Sequence, residues 1–180
     1  MTKFNRVWAM PNAKTFMIKP IKELIVKHVK EGMTIVDPFA NECGIQESLT
    51  NVNYISNDLD TQYDTLYHLD ALDFLKQIPS NSADLVLYDP PYSPRQVSEV
   101  YKSLDMTVNM QTTQASYWAK QKNEIARIVK KGGKVITFGW NSGGIGKTKG
   151  FLIEEILLVP HGGWHNDTIC TVDIKVNNIS

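Results

Sequence analysis

The sequence predicts an α/β fold built on a doubly wound, mostly parallel sheet. Three observations carry that expectation. Runs with apolar residues at helical spacing alternate along the chain with short apolar runs of strand type. One of the latter, Asp84-Leu85-Val86-Leu87-Tyr88, is apolar almost throughout, as a strand covered on both faces should be. The chain then closes with two β-rich runs around a loop holding Pro160, Gly162 and Gly163, which read as an antiparallel pair.

Each element follows from local pattern. Ile18 to Val29 spaces Ile18, Ile21, Leu24, Ile25 and Val29 as a helix does, and Gly32 stops it. Thr34-Ile35-Val36 is a short strand that ends in Asp37-Pro38-Phe39, and Ile45 to Thr50 is read as a short helix. Asn53 to Ser56 is the next strand, ending in Asn57-Asp58. Leu66-Tyr67-His68 is a weak third strand ending at Asp70, followed by a helix over Ala71–Gln77. Asp84–Tyr88 is the fourth strand. Ser116–Lys130 is a helix with Ile125, Ile128 and Val129 apolar, ended by Lys131-Gly132-Gly133, and Lys134–Phe138 is the fifth strand. Phe151–Val159 and Thr168–Val176 are the closing pair.

At 180 residues the chain has the length of one domain, with no repeat, no low-complexity linker and no segment left over for separate target recognition. The expected organisation is one catalytic domain over residues 1–180. Cys43 and Cys170 lie far apart and form no metal spacing, which fits a reduced, cytoplasmic setting. Met1 to Met10 carry charge without the apolar stretch of a secretory signal, and no apolar run is long enough to span a bilayer. Net charge is zero, which argues against a broadly basic nucleic-acid surface. Local patches remain: Lys14, Lys19, Lys22, Lys27 and Lys30 in one stretch, Lys120, Lys122, Arg127, Lys130, Lys131 and Lys134 in another. A solvated helix face explains either equally well.

Asp89-Pro90-Pro91-Tyr92 closes the most apolar strand, where open α/β sheets bind ligands. It combines what alkylation of an exocyclic base amine needs. Such an amine is a poor nucleophile, because its lone pair is delocalised into the ring. The Asp89 carboxylate and the Pro90 carbonyl can each accept one of its N–H bonds, which draws electron density onto nitrogen and aims the lone pair. The two prolines fix φ and remove amide donors, and Tyr92 offers a flat face for a base taken out of its stack. A strand-ending Pro-Pro turn is the plain alternative.

On these residues the chain resembles the S-adenosylmethionine-dependent amino methyltransferases of nucleic acid, especially the adenine-N6 DNA class. The resemblance covers almost the whole chain. Asp89, Pro90, Pro91 and Tyr92 match the catalytic motif. Asp37-Pro38-Phe39-Ala40 matches the start of the motif that holds the methionine part of the cofactor. Asn57-Asp58 matches the acidic position on the ribose, and His68-Leu69-Asp70-Ala71 the motif that reads the adenine. Thr15-Phe16-Met17-Ile18-Lys19-Pro20 looks like the segment that completes the cofactor pocket. The resemblance implies a Rossmann-like, seven-stranded sheet with an antiparallel C-terminal strand, and methyl transfer from S-adenosylmethionine to N6 of a flipped adenine in DNA. It places the chain in the cytoplasm, at the nucleoid, and implies neither metal nor membrane. One departure stands out. Family members continue with glycines after the aromatic residue, whereas Phe39 is followed by Ala40-Asn41-Glu42-Cys43-Gly44. Asn41 tolerates left-handed geometry and can replace one glycine, and Gly44 stands one place beyond the second.

Alternatives stay open. Asp60 as well as Asp58 could hold a ribose diol, although Asp58 follows the strand directly. Asp58 and Asp70 could equally be helix N-caps. An RNA base amine such as guanine N2 is the nearest rival substrate; cytosine N4 and protein glutamine fit less well, because those classes head the motif with Ser or Asn. The changed glycines also suit a non-catalytic subunit. A second copy or a partner subunit could add contact surface.

Gly143-Gly144-Ile145-Gly146-Lys147-Thr148 lacks the first glycine of a phosphate loop, since that position is Asn141. His161 and His165 lie in a glycine-containing loop, so a hairpin turn is expected there and not a helical metal site. Of Trp8, Trp118, Trp140 and Trp164, Trp140 is best placed for base contact. Ser93–Ala115, with Arg95, Gln96, Asn109, Gln111 and Gln114, and the loops Asn141–Gly150 and His161–Asp167 are the segments expected to be free to read a target.

Overall fold

The computed structural model describes residues 1–42, 44–106 and 115–176. Seven strands form one sheet: β1 (Lys3–Arg6), β2 (Thr34–Asp37), β3 (Asn53–Ser56), β4 (Ala83–Tyr88), β5 (Val129–Gly139), β6 (Phe151–Val159) and β7 (Thr168–Lys175). Their order is β1-β6-β7-β5-β4-β2-β3. Only β7 runs against its neighbours. The helices are α1 (Lys19–His28), α2 (Ala71–Gln77), α3 (Pro94–Ser103) and α4 (Ala115–Ile128).

Alternation along the central strands builds two cores, one on each face of the sheet. Leu85 and Leu87 of β4 face Ile35, Ile136 and Phe138, against which α1 packs Ile21, Leu24 and Ile25. Val86 and Tyr88 face the other way, among Phe74 and Leu75 of α2 and Ile125 and Ile128 of α4. Pro20 sits in the first turn of α1, where its missing N–H costs nothing. Asp70 caps α2, its carboxylate accepting the Leu72 N–H at 3.0 Å. Lys175 is buried and donates to the Ala126 and Val129 carbonyls at 2.7 and 2.6 Å, which closes the end of α4.

Three local expectations are corrected. Leu66–His68 is not a strand: it makes one isolated bridge, Asn57 to Tyr67. The buried Asn57 side chain takes the Leu69 N–H and C=O, both at 2.9 Å, groups that a neighbouring strand would have used. The seventh strand is instead β1, wholly exposed, which pairs in parallel with β6 at the sheet edge. Lys131-Gly132-Gly133 does not separate helix from strand. β5 begins directly after α4, and these residues form an irregularity between the Ala83–Val129 and Leu85–Lys134 pairs.

No helix joins β5 to β6; residues 140–150 do so, with a short 3-10 turn at Lys147–Lys149. Ile145 plugs this loop into the second core, and its N–H donates to Asp173 Oδ2 at 3.1 Å. Lys122 donates to the Gly144 carbonyl at 2.7 Å. Gly144 has φ 57°, and a Cβ there would lie 2.3 Å from Asp173 Oδ2, so glycine is required twice over.

Candidate active site

The carboxyl ends of β2, β3 and β4 converge on a cavity of about 580 Å³. A second, of about 220 Å³, adjoins it between residues 12–17 and 39–45. Thr15, Phe39, Asn41, Tyr63 and Asp89 line both. Pro38, Asp58, Asp70, Ala71, Pro90, Pro91 and Tyr92 line the larger, and Phe16, Ala40 and Gly44 the smaller. The structure therefore places in these two linings at least part of each segment singled out for chemistry or cofactor, while Asp37, Ile18, Lys19, Pro20 and His68 line neither cavity. The Asp37 carboxylate is fully buried behind the wall, taking the Tyr54 hydroxyl at 2.5 Å and the Phe39 N–H at 3.3 Å.

Backbone geometry explains how the wall is made. Asn41 has φ 51°, the left-handed conformation that a glycine would otherwise supply. Its N–H donates to Asp58 Oδ2 at 2.9 Å, and the Asp60 N–H donates to Asp58 Oδ1 at 2.9 Å. Asp58 thus has one lone pair free on each oxygen, facing the cavity, as a pair of adjacent hydroxyls would need. Gly44 packs closely on Met17, whose sulfur would lie 3.3 Å from an added Cβ. Cys43 lies outside the described residues.

The catalytic-motif candidates are fastened from several sides. The Tyr92 N–H donates to Gln96 Oε1 at 2.7 Å, and Trp118 Nε1–H donates to the Pro91 carbonyl at 3.0 Å. The Tyr92 hydroxyl donates to Asp89 Oδ1. Its ring lies beside Gly139 and tilts at 48° to Trp140, 5.2 Å between centroids. Trp140 is 44% exposed and lines neither cavity.

The site is electrically one-sided. The larger cavity is lined by Asp58, Asp60, Asp70, Asp89 and Glu99 and by no Lys, Arg or His. Burial holds the Asp89 carboxyl up at about 6 and that of Asp37 at about 7, the latter pushed further by Asp89 and Asp58. Asp58 is raised as well, again chiefly by burial. A pocket of this kind favours a cation or an N–H donor over a phosphate.

Tyr117 was missed in a helix read only by its apolar positions; Gln96 was read as a base contact and Tyr101 was missed, because Ser93–Ala115 was expected to be a loop. Its first part is α3, capped by Ser93, whose hydroxyl accepts the Gln96 N–H at 3.2 Å. Arg95, largely exposed, pairs with Glu99, and Gln96 accepts the Tyr92 N–H. Asn109, Gln111 and Gln114 lie outside the described residues. Within the lysine-rich stretches, Lys27 pairs with Glu155, Lys130 with Asp84 and Lys134 with Glu154. His161 bonds the Ala9 carbonyl at 2.9 Å and the Thr168 hydroxyl at 2.8 Å, which ties the β6–β7 loop to the N-terminal segment. Among the described residues no helix is long and apolar enough to cross a membrane, and no group of three acidic, His or Cys side chains could hold a metal.

No protein-family model matches the chain, and no curated protein matches it. Solved structures do. TrmN from Thermus thermophilus aligns at 15% identity with a TM-score of 0.56, over 89% of this chain and 49% of its own. A SAM-dependent methyltransferase from Aquifex aeolicus aligns at 13% and 0.55, over 92% and 94%. The 1,6-didemethyltoxoflavin-N1-methyltransferase of Burkholderia thailandensis, solved with its substrate and S-adenosylhomocysteine, aligns at 9% and 0.60, over 88% and 78%. At these identities the likeness is one of fold, and the chain spans about half the length of TrmN. The architecture is that of S-adenosylmethionine-dependent methyltransferases, with a seven-stranded sheet and an antiparallel last strand.

Proposed function

We propose that the protein transfers a methyl group from S-adenosylmethionine to the exocyclic N6 amine of adenine in DNA. The observation that carries this reading is Asp89. It is a partly buried carboxylate at the end of the central strand β4, continued by Pro90-Pro91-Tyr92, on the wall of an acidic cavity. The residues present fit the cofactor. Asp58 presents free lone pairs for a ribose diol, Phe39 and Leu69 offer apolar faces, and the surplus of buried carboxylate suits a cationic centre. When bound, S-adenosylmethionine supplies a methyl group activated by positively charged sulfur.

The chain's own residues do the rest. Asp89 accepts one amine N–H and the Pro90 carbonyl the other, so the nitrogen lone pair is fixed in direction and enriched. Tyr92 and Trp140 form an aromatic shelf that can hold a flipped base by stacking. The absence of cations from the cavity lining suits a base that enters without its phosphates. Asp at the head of the motif, not Ser or Asn, favours adenine over cytosine or a glutamine side chain.

The test is transfer of labelled methyl to DNA and to RNA, followed by nucleoside analysis. N6-methyladenine in the DNA digest is expected. Label found only in RNA guanine, or only in cytosine, would overturn the substrate, and binding of cofactor without any transfer would favour a non-catalytic subunit.

A further inference from the structure

Helices α3 and α4 each touch the molecule's chemistry at two points. On α3, Gln96 accepts the Tyr92 N–H at 2.7 Å, and five residues later the Tyr101 hydroxyl donates to Asp70 Oδ2. On α4, the Tyr117 hydroxyl donates to the same Asp70 oxygen at 2.7 Å, and its neighbour Trp118 donates to the Pro91 carbonyl at 3.0 Å. The two tyrosine hydroxyls lie 3.3 Å apart. Asp70 and the Asp89–Tyr92 motif are therefore spanned twice, by two rigid struts.

The bonds at both ends have physical weight. Those to Asp70 are charge-assisted and sheltered, since Tyr101 and Tyr117 are both buried. Pro90 and Pro91 have no amide hydrogen, so the Tyr92 N–H and the Pro91 carbonyl are the handles by which the loop can be held. They belong to one planar peptide unit, the one that follows the Pro90 carbonyl, and that carbonyl must point at the target amine. α3 itself buries little beyond Val97 and Tyr101, and Val100 is 41% exposed, so its placement depends on these polar ties.

We propose that Gln96, Tyr101, Tyr117 and Trp118 are positioning residues that couple the cofactor cavity at Asp70 to the catalytic motif, so that a bound cofactor tightens the motif before the base arrives. This inference rests on the reading that the cavity holds S-adenosylmethionine. Occupancy beside Asp70 limits the movement of both tyrosines, and the helices carry that restriction to Tyr92 and Pro91.

Amide hydrogen exchange at Tyr92, with and without S-adenosylhomocysteine, tests it on the full chain. In the wild type the ligand slows exchange by about tenfold, the worth of one net hydrogen bond. In the Tyr101→Phe, Tyr117→Phe double variant, S-adenosylhomocysteine still binds by calorimetry but the slowing is lost. Trp118→Phe keeps the ring, drops the N–H, and lowers kcat about tenfold while leaving KM for the cofactor unchanged. Ligand binding that leaves Tyr92 exchange unaltered in the wild type overturns the coupling and spares the cofactor assignment. Slowing that persists in the double variant also overturns it. Failure of S-adenosylhomocysteine to bind the wild type at all removes the cofactor assignment and the coupling together.

Discussion

The Tyr92 hydroxyl donates to Asp89 Oδ1, so the residue offered as the base platform also occupies the acceptor that the target amine needs. The two roles meet on one carboxylate, which can still accept an amine N–H at Oδ2 or at the second lone pair of Oδ1, so the hydroxyl competes only for Oδ1. Tyr92→Phe keeps the flat ring and frees the carboxylate, and kcat/KM should stay within a few-fold of wild type or rise. Tyr92→Ala removes the platform and should lower kcat/KM for the target about tenfold or more, from the loss of base stacking. Steady-state kinetics on one oligonucleotide checks both. A Phe variant as poor as the Ala variant would show that the hydroxyl takes part in transfer.

Asp89 accepts the amine N–H most strongly as a carboxylate, and burial holds its pKa at about 6, above the usual carboxylate range. Below that pH the group is protonated and a much weaker acceptor, so kcat/KM should rise with pH through about 6 and then level off. Asp89→Asn should lose that limb of the profile. It should also lose at least about a hundredfold in kcat, because a preorganised acceptor acts mainly in the transition state. S-adenosylhomocysteine affinity should change little. A variant with near-normal turnover would move the acceptor role elsewhere.

Asp58 holds two backbone N–H groups, of Asn41 and Asp60, besides facing the cavity. Asp58→Asn should weaken S-adenosylmethionine binding by about 1.5–3 kcal/mol, the range for a hydrogen bond to a charged group. Calorimetry at fixed salt measures it. Equal affinity for variant and wild type would assign the ribose contact to Asp60.

Gly144 faces Asp173 at a left-handed φ, with no room for a side chain. Gly144→Ala should destabilise the protein by about 2 kcal/mol or more, from strain at φ 57° and the forced movement of a buried carboxylate. A fall in Tm of several degrees is expected by calorimetry. An unchanged Tm would mean that the 140–150 loop shifts freely, contrary to the way Ile145 plugs the core.

Legibility in the sequence followed burial. The strand 84–88 and the helix 71–77 could be read almost to the residue, because both are dominated by apolar periodicity and Asp70 is a strong cap. Many residues around both cavities were legible because their motifs resemble those of the amino methyltransferases, whereas Tyr63, Tyr101 and Tyr117, which belong to no such motif, were not. β1 was not legible: its four side chains are all exposed, and it is held by backbone pairing with β6 at the sheet edge. The Leu66–His68 error has the opposite cause, a buried Asn57 that imitates a strand neighbour with its side chain. For α3 the signals were present, Ser93 as cap, Pro94 in the first turn, and Val97 and Tyr101 on one face. They were outweighed by the polar composition of the segment.

Asp37, Asp89 and Asp173 share one further property: each is raised by burial, Asp37 to about 7 and the other two to about 6. In the unfolded chain a carboxyl titrates near ~3.9. A folded pKa above the unfolded one means that these groups support folding fully below about 4 and progressively withdraw that support as pH rises through about 6 to 7. From these three groups, the ligand-free protein should be more stable near pH 5 than near pH 8. Asp37→Asn should remove the largest part of the loss, because the amide stays neutral and can still accept the Phe39 N–H. The variant should therefore be more stable than wild type at pH 8, by an amount on the order of a few kcal/mol, with the difference shrinking toward pH 5. A positive ligand acts in the same direction, since it compensates Asp89 once ionised. Affinity for S-adenosylmethionine relative to its uncharged-sulfur product should rise over the same pH range. Urea titrations at pH 5 and 8, with calorimetry for the two ligands, measure these effects. If Asp37→Asn is no more stable than wild type at pH 8, the buried carboxyl is accommodated as an anion by Tyr54 and the backbone.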